Sequence, residues 1–187
     1  MIRVSKTFVI FFVASALMVS SAHAAVEFTA RLTELPRGSQ PLSGKIFVKG
    51  EKIRQETFGP NGVQIMIFRP DMKVTWMMFI PGRVCLQMPY VPSDNEFGEW
   101  ASLKSINVRF LGKETFRGIE CRKYQTVEDG QKTFYWISEQ LSFPVKVESR
   151  DETMECTDIR RCKLEDSLFE VPATYKKTIT RIAPPKE

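Results

Sequence analysis

Apolar and polar residues alternate with a period of two along most of the chain after residue 25, and this pattern predicts β-strands. In the first predicted strand, residues 26–33, the apolar side chains of Val26, Phe28, Ala30 and Leu32 share one side. Ten more strands follow at residues 43–49, 52–57, 63–69, 72–80, 84–88, 107–115, 119–127, 131–138, 143–148 and 153–159. Short links rich in Gly, Pro and Asp join them, as in the two-residue turn Gly50-Glu51, so sequential strands are expected to pair antiparallel.

One segment in the middle of the chain has a different pattern. Ser93 and Asp94 resemble a helix cap, and Phe97, Trp100 and Lys104 follow at helical spacing. The sequence therefore predicts one short amphipathic helix between two blocks of strands. Eleven strands will not lie flat in one sheet. We expect a mainly β fold in which a curled antiparallel sheet forms an incomplete β-barrel with a short helical lid.

The N-terminal 24 residues are typical of a secretory signal peptide. Arg3 and Lys6 precede an apolar run at residues 8–19, and Ala22-His23-Ala24 forms a small-x-small cleavage site. The run is shorter than the ~20 apolar residues that a membrane span needs. We expect cleavage after Ala24 and export of a single mature domain at residues 25–187. No lipidation cysteine follows the apolar run, so a lipid anchor is not expected.

Charge and composition argue against two classes of function, nucleic-acid binding and catalysis. The 187 residues have a net charge of +5, which falls to +3 without the signal peptide, and the basic residues form no clustered stripe. Nucleic acid is therefore not an expected partner. The only histidine, His23, leaves with the signal peptide, which removes the commonest general base. No catalytic or phosphate-binding motif stands out, so we expect a protein that is not an enzyme and that holds no metal or cofactor.

Four cysteines, Cys85, Cys121, Cys156 and Cys162, lie in the mature chain. Export permits disulfides, and four cysteines allow three pairings. Cys156 and Cys162 could join across a turn, but not along one extended strand. Structural disulfides and buried free thiols both stay open.

The central strands carry the candidate binding residues. Even positions there are apolar, and five of the six mature methionines lie between residues 66 and 88. Flexible methionine side chains suit irregular apolar ligands. With the helix, they form the candidate ligand-binding set Met66, Phe68, Met72, Val74, Trp76, Met78, Leu86, Met88, Phe97 and Trp100. An ordinary barrel core explains the pattern equally well, and the apolar odd positions Met77 and Phe79 predict cover on both sides of the sheet.

The order and spacing of several segments resemble the bacterial outer-membrane lipoprotein-sorting superfamily (LolA and LolB-like), and in particular its little-characterised periplasmic branch. These segments are residues 42–54, 118–124, 135–138, 144–148 and 167–172, followed by Tyr175, and the resemblance covers residues 26–178. It implies an incomplete antiparallel barrel with a helical lid over a hydrophobic cavity that holds the acyl chains of lipoproteins. By its place in the early hairpin, Arg54 resembles an arginine that latches the lid in the carriers; a surface arginine is the alternative. The strand at Val26 departs from the helix that begins the mature carriers.

Taken together, these features predict a monomeric periplasmic binding or carrier protein for lipids or lipidated proteins, with a membrane or envelope protein as a further partner. Two alternatives remain. One is an envelope protein–protein interaction or stress-sensing module with a filled core and no ligand. The other is an enzyme that uses Asp, Glu, Lys or Tyr.

Overall fold

The computed structural model describes residues 26–59, 62–92, 108–128 and 130–180. Within them one sheet contains twelve strands. They are β1 (Glu27–Pro36), β2 (Leu42–Lys49), β3 (Lys52–Gly59), β4 (Gly62–Arg69), β5 (Val74–Ile80), β6 (Val84–Pro89), β7 (Arg109–Phe116), β8 (Ile119–Glu128), β9 (Gln131–Ser138), β10 (Phe143–Glu148), β11 (Glu152–Arg161) and β12 (Lys176–Ile179). Their spatial order is β12-β6-β5-β4-β3-β2-β1-β11-β10-β9-β8-β7, so the sheet is open, with β12 and β7 at its edges.

Short hairpins build the two halves of the sheet, and the pairing of β1 with β11 joins them. The turn at Gly50-Glu51 closes the β2–β3 hairpin as the sequence predicts, with Lys49 opposite Lys52 and Gly50 at a φ of 60°. Every pair is antiparallel except β12, which lies parallel to β6. Local hairpins thus explain why sequential strands are neighbours over most of the sheet.

The larger apolar cluster defines what we call the core face of β1–β6. Phe28, Val48, Ile53 and Phe68 lie side by side on it, because each is the register partner of the next across β1 to β4. The same cluster continues into the second half of the sheet through Tyr135, Val145, Val147, Met154 and Cys156. All of these side chains are buried.

A second cluster covers the opposite face of β4–β6. There Ile65, Ile67, Trp76, Met78 and Cys85 pack against Leu164 and Phe169. The last two belong to the C-terminal segment, residues 163–175, which contains a short 3₁₀ turn at Asp166–Phe169. The chain therefore covers this face with its own C-terminal segment before β12 pairs with β6.

The predicted fold class is confirmed: the protein is mainly β, with a single open sheet. Two details differ. The strand β12 was not predicted, because its four residues are all exposed and show no alternation. Met72 was placed in a strand but lies in a 3₁₀ turn, Pro70–Met72, that Lys73 ends at a φ of 56°. The predicted signal peptide and the predicted helical lid, with Phe97 and Trp100, lie outside the described residues.

Candidate functional site

Three rows of side chains cross the core face of β3–β6, and we call this surface the methionine face. Register fixes their neighbours, since paired residues of adjacent strands point to the same side. The first row is Ile53, Phe68, Thr75 and Met88; the second is Gln55, Met66, Met77 and Leu86; the third is Thr57, Gln64, Phe79 and Val84. Three flexible methionines thus lie within two neighbouring rows.

Exposure increases from the first row to the third. Phe68 and Thr75 in the first row are only 1% and 2% exposed, whereas Phe79 and Val84 in the third are 38% and 36% exposed. The second row is half-buried. At the exposed end lies a groove of about 400 Å³, lined by Leu42, Thr57, Gly59, Gly62, Val63, Gln64, Phe79, Ile80 and Pro81. The methionine face is therefore closed at one end and open at the other.

A polar group borders the groove. Gln55 Nε2 donates a hydrogen bond to Glu34 Oε1 at 2.7 Å, and Thr57 Oγ1 donates to the same oxygen at 3.4 Å. These residues lie on β1 and β3, on either side of β2. Burial raises the pKa of the Glu34 carboxyl, and the nearby Glu152 adds to the shift.

The structure divides the sequence-predicted binding residues between the two faces of the sheet. Met66, Phe68, Leu86 and Met88 lie on the methionine face, whereas Val74, Trp76 and Met78 lie on the opposite face. Met72, in the 3₁₀ turn, is 50% exposed. The methionine face also contains residues that were not in the predicted set, namely Thr75, Met77 and Phe79. Hairpin register was the signal that could have found them.

Arg54 lies on the face opposite the methionine face. Its guanidinium pairs with Glu56 at 2.7 Å and donates from Nη1 to the carbonyl of Leu168 at 3.0 Å. The observed contact of Arg54 is thus with the C-terminal segment. Its predicted role as a lid latch stays a prediction, because the predicted lid lies outside the described residues.

Other basic side chains also hold the C-terminal segment. Lys49 Nζ donates to the carbonyl of Leu164 at 2.8 Å. Arg69, which is 6% exposed, donates to the carbonyl of Phe169 at 3.1 Å and pairs with Asp71 and Glu170. These contacts satisfy backbone carbonyls where the segment crosses the sheet.

Of the two alternatives that the sequence left open for the cysteines, the structure shows free thiols: none of the candidates Cys85, Cys121, Cys156 and Cys162 forms a disulfide. Cys156 lies within the extended strand β11 and Cys162 directly follows it, so they are on the order of 15–20 Å apart, beyond the reach of a disulfide. Cys85, Cys121 and Cys156 are buried, and burial raises the pKa of the Cys156 thiol to about 12. Cys162 is exposed.

Neither a metal centre nor a spanning helix emerges from the described ranges. No group of three or more His, Cys, Asp or Glu side chains there could hold a metal ion. Over the same residues no helix has the length and apolar character needed to cross a membrane.

Comparisons with known proteins give matches among solved structures alone. No protein-family model matches the chain. No curated protein matches it either. An uncharacterised conserved protein from Thermus thermophilus superposes with a TM-score of 0.61 at 12% identity, over 83% of this chain and 91% of that one. PNGF-II superposes with a TM-score of 0.57 at 12% identity, and the match spans 83% of this chain but 31% of that protein.

Members of the superfamily that the sequence resembles are among the matched structures. A LolA superfamily protein from Nitrosomonas europaea matches with a TM-score of 0.43 at 12% identity, over 78% of this chain and 90% of that one. At these identities, the likeness to the Thermus thermophilus protein and to part of PNGF-II shows a shared fold.

Proposed function

We propose that the protein binds the acyl chains of lipids or of lipidated proteins on the methionine face, as an exported binding or carrier protein. One observation carries the proposal: the exposed fraction of the large apolar side chains on this face rises from 1% at Phe68 to 38% at Phe79. An acyl chain on the second and third rows would bury apolar surface that otherwise contacts water, at about 25 cal/mol per Å². The methionines at 66, 77 and 88 can adjust to chains of different shape.

The contrast between the two faces supports this choice of surface. The opposite face already has a cover, because Leu164 and Phe169 of the C-terminal segment are buried against it. Phe79 and Val84 keep more than a third of their surface exposed at the open end of the methionine face. A ligand is therefore better accommodated on the methionine face than on the opposite one.

Lipid binding is tested by mass spectrometry of extracts from the purified full chain and by titration with a fluorescent fatty acid. Met77→Glu places a charge in the second row, where an acyl chain would have to desolvate it. We expect binding at least tenfold weaker in this variant. Met72→Glu is the matched control: it makes the same substitution in the exposed 3₁₀ turn and should bind the fatty acid like the unmodified protein. The melting temperatures of both variants show whether they remain folded.

The results distinguish a wrong function from a wrong binding site. If the unmodified protein neither carries lipid nor binds the fatty acid, the proposed function is wrong. If it binds but Met77→Glu leaves the affinity unchanged, acyl chains bind elsewhere.

A second candidate function is the protein interaction module, which the edge strand β7 favours. In the described part of the chain β7 pairs only with β8, and Phe110 and Leu111 on it are 52% and 40% exposed. Such an edge can accept a strand from another protein. A photo-crosslinking amino acid at residue 110 tests this function in cells. Capture of one specific envelope protein would favour it, provided that the purified chain itself contains no bound lipid.

A further inference from the structure

Thr75 has an unusual place on the methionine face. Its side chain lies in the first row between Phe68 and Met88 and is 2% exposed. Its Oγ1 is buried and has no hydrogen-bond partner, the one such side-chain atom in the ranges that the structure describes. Buried polar groups in proteins nearly always have a partner, so this hydroxyl is free to bond a partner that the described residues do not supply.

The surroundings of Thr75 define the chemistry of that ligand atom. The core-face row that contains Thr75 runs through Phe28, Val48, Ile53, Phe68 and Met88, with no charged side chain among them. A charged head group placed there would be buried without a counter-ion, which is strongly unfavourable. A neutral oxygen, such as that of an ester, can accept a hydrogen bond from the hydroxyl at no such cost.

We propose that Thr75 Oγ1 donates a hydrogen bond to the neutral carbonyl oxygen of a bound acyl ester, which selects esterified chains over plain hydrocarbons. This inference rests on the proposed function, since it uses the same face. The ester would lie at the closed end, next to flexible Met88, and its chain would run toward Phe79 at the open end. Thr75 and Phe79 are four residue steps apart along an extended strand, which gives the chain a path of about 13 Å.

Two substitutions at this position isolate the hydroxyl. Thr75→Val removes it at nearly constant volume, and Thr75→Ser keeps it. Pyrene, which has no oxygen, is bound first and then displaced by either methyl decanoate or undecane. We expect Thr75→Val to weaken methyl decanoate binding about 2- to 13-fold, the net effect of one hydrogen bond. Undecane should bind as before, and Thr75→Ser should bind the ester like the unmodified protein.

The melting temperature of the ligand-free protein gives a second measurement. Because Thr75→Val removes an unpaired buried hydroxyl, we expect it to raise this temperature. A lower melting temperature would mean that the hydroxyl has a partner in the free protein, which overturns the inference.

Each binding outcome has a separate meaning. If Thr75→Val weakens the binding of methyl decanoate and of undecane equally, or changes neither, the hydroxyl does not select the ester. Acyl binding on this face would still hold. If the unmodified protein binds none of the three compounds, the proposed function fails and this inference fails with it.

Discussion

Arg69 offers the strongest test of how the C-terminal segment is held on the sheet. Its Nε and Nη2 donate to the two carboxylate oxygens of Asp71, each at 2.8 Å, and Nη1 donates to the carbonyl of Phe169 at 3.1 Å. Nη1 also pairs with Glu170. The guanidinium carbon lies 5.8 Å from the centre of the Trp76 ring. One side chain on β4 thus joins its own turn to the C-terminal segment.

The cost of Arg69→Met follows from the exposure of its partners. Asp71 and Glu170 are 41% and 51% exposed, so water can replace the arginine, and each pair contributes about 0.2–1 kcal/mol. The bond to the Phe169 carbonyl joins a charged donor to the backbone of a buried residue and contributes about 1.5–3 kcal/mol. The methionine keeps much of the apolar stem. We expect a total loss of about 2–5 kcal/mol in the free energy of unfolding.

Urea unfolding followed by circular dichroism measures this loss. Arg122→Met is the matched control, because Arg122 pairs with Glu139 at the surface, where its side chain is 54% exposed, so this variant should lose much less stability. Equal losses in the two variants would refute the reasoning, since Arg69 would then be no more than a surface arginine.

The pH dependence of the Arg69→Met effect gives a further check. Hydrogen bonding to Arg69 holds the pKa of Asp71 below its ordinary value of 3.8. A carboxyl with a lowered pKa stabilises the folded state above its ordinary pKa, and this stability is lost as the pH falls through the folded value. The difference between the unmodified protein and Arg69→Met should therefore shrink below pH 3.8. A constant difference would mean that the pair with Asp71 contributes nothing.

Three further predictions concern other parts of the sheet. Gly44→Ala should cost about 1–3 kcal/mol in urea unfolding, because the added Cβ would lie 2.1 Å from the carbonyl oxygen of Glu56; an unchanged midpoint would contradict this. Burial raises the pKa of Glu34 above 4.5, so its ionisation lowers stability as the pH rises through the folded value. The melting temperature of Glu34→Gln should then be higher than that of the unmodified protein at pH 7 but not at pH 4. The same difference in melting temperature at both pH values would contradict this prediction. A thiol reagent should label Cys162 alone in the native protein and all four cysteines in urea, and fewer than four in urea without reductant would reveal a disulfide.

The strands could be predicted from sequence because alternation and turn residues agree along most of the chain. The hairpin at Gly50 illustrates this, since the glycine supplies the positive φ that the turn requires. The strand β12 could not be found in the same way. It is exposed and depends on backbone pairing with β6 rather than on a buried side, so its sequence contains no alternation.

The two-sided division of the predicted site has a simple geometric cause. Two or four residues separate the closing pairs of the β2–β3, β4–β5 and β5–β6 hairpins, as with Lys49 and Lys52 or Arg69 and Val74. With an even number of residues in the loop, an even-numbered position pairs with an odd-numbered one. Met66 therefore lies beside Met77 rather than Met78. Alternation within a strand cannot reveal this change of parity, whereas the loop length can.

The strand β5 shows why this single layer of strands needs cover on both of its faces. Apolar residues at both even and odd positions of β5 give the sheet two apolar faces, with Trp76 and Met78 on one and Met77 and Phe79 on the other. Burial of the first pair is complete, because the C-terminal segment packs over that face. Met77 is half-buried and Phe79 is exposed, so their side of β5 retains apolar surface that folding of the described residues does not remove from water. A face of this kind is stabilised further by whatever apolar molecule binds to it, which links the sheet geometry to ligand binding.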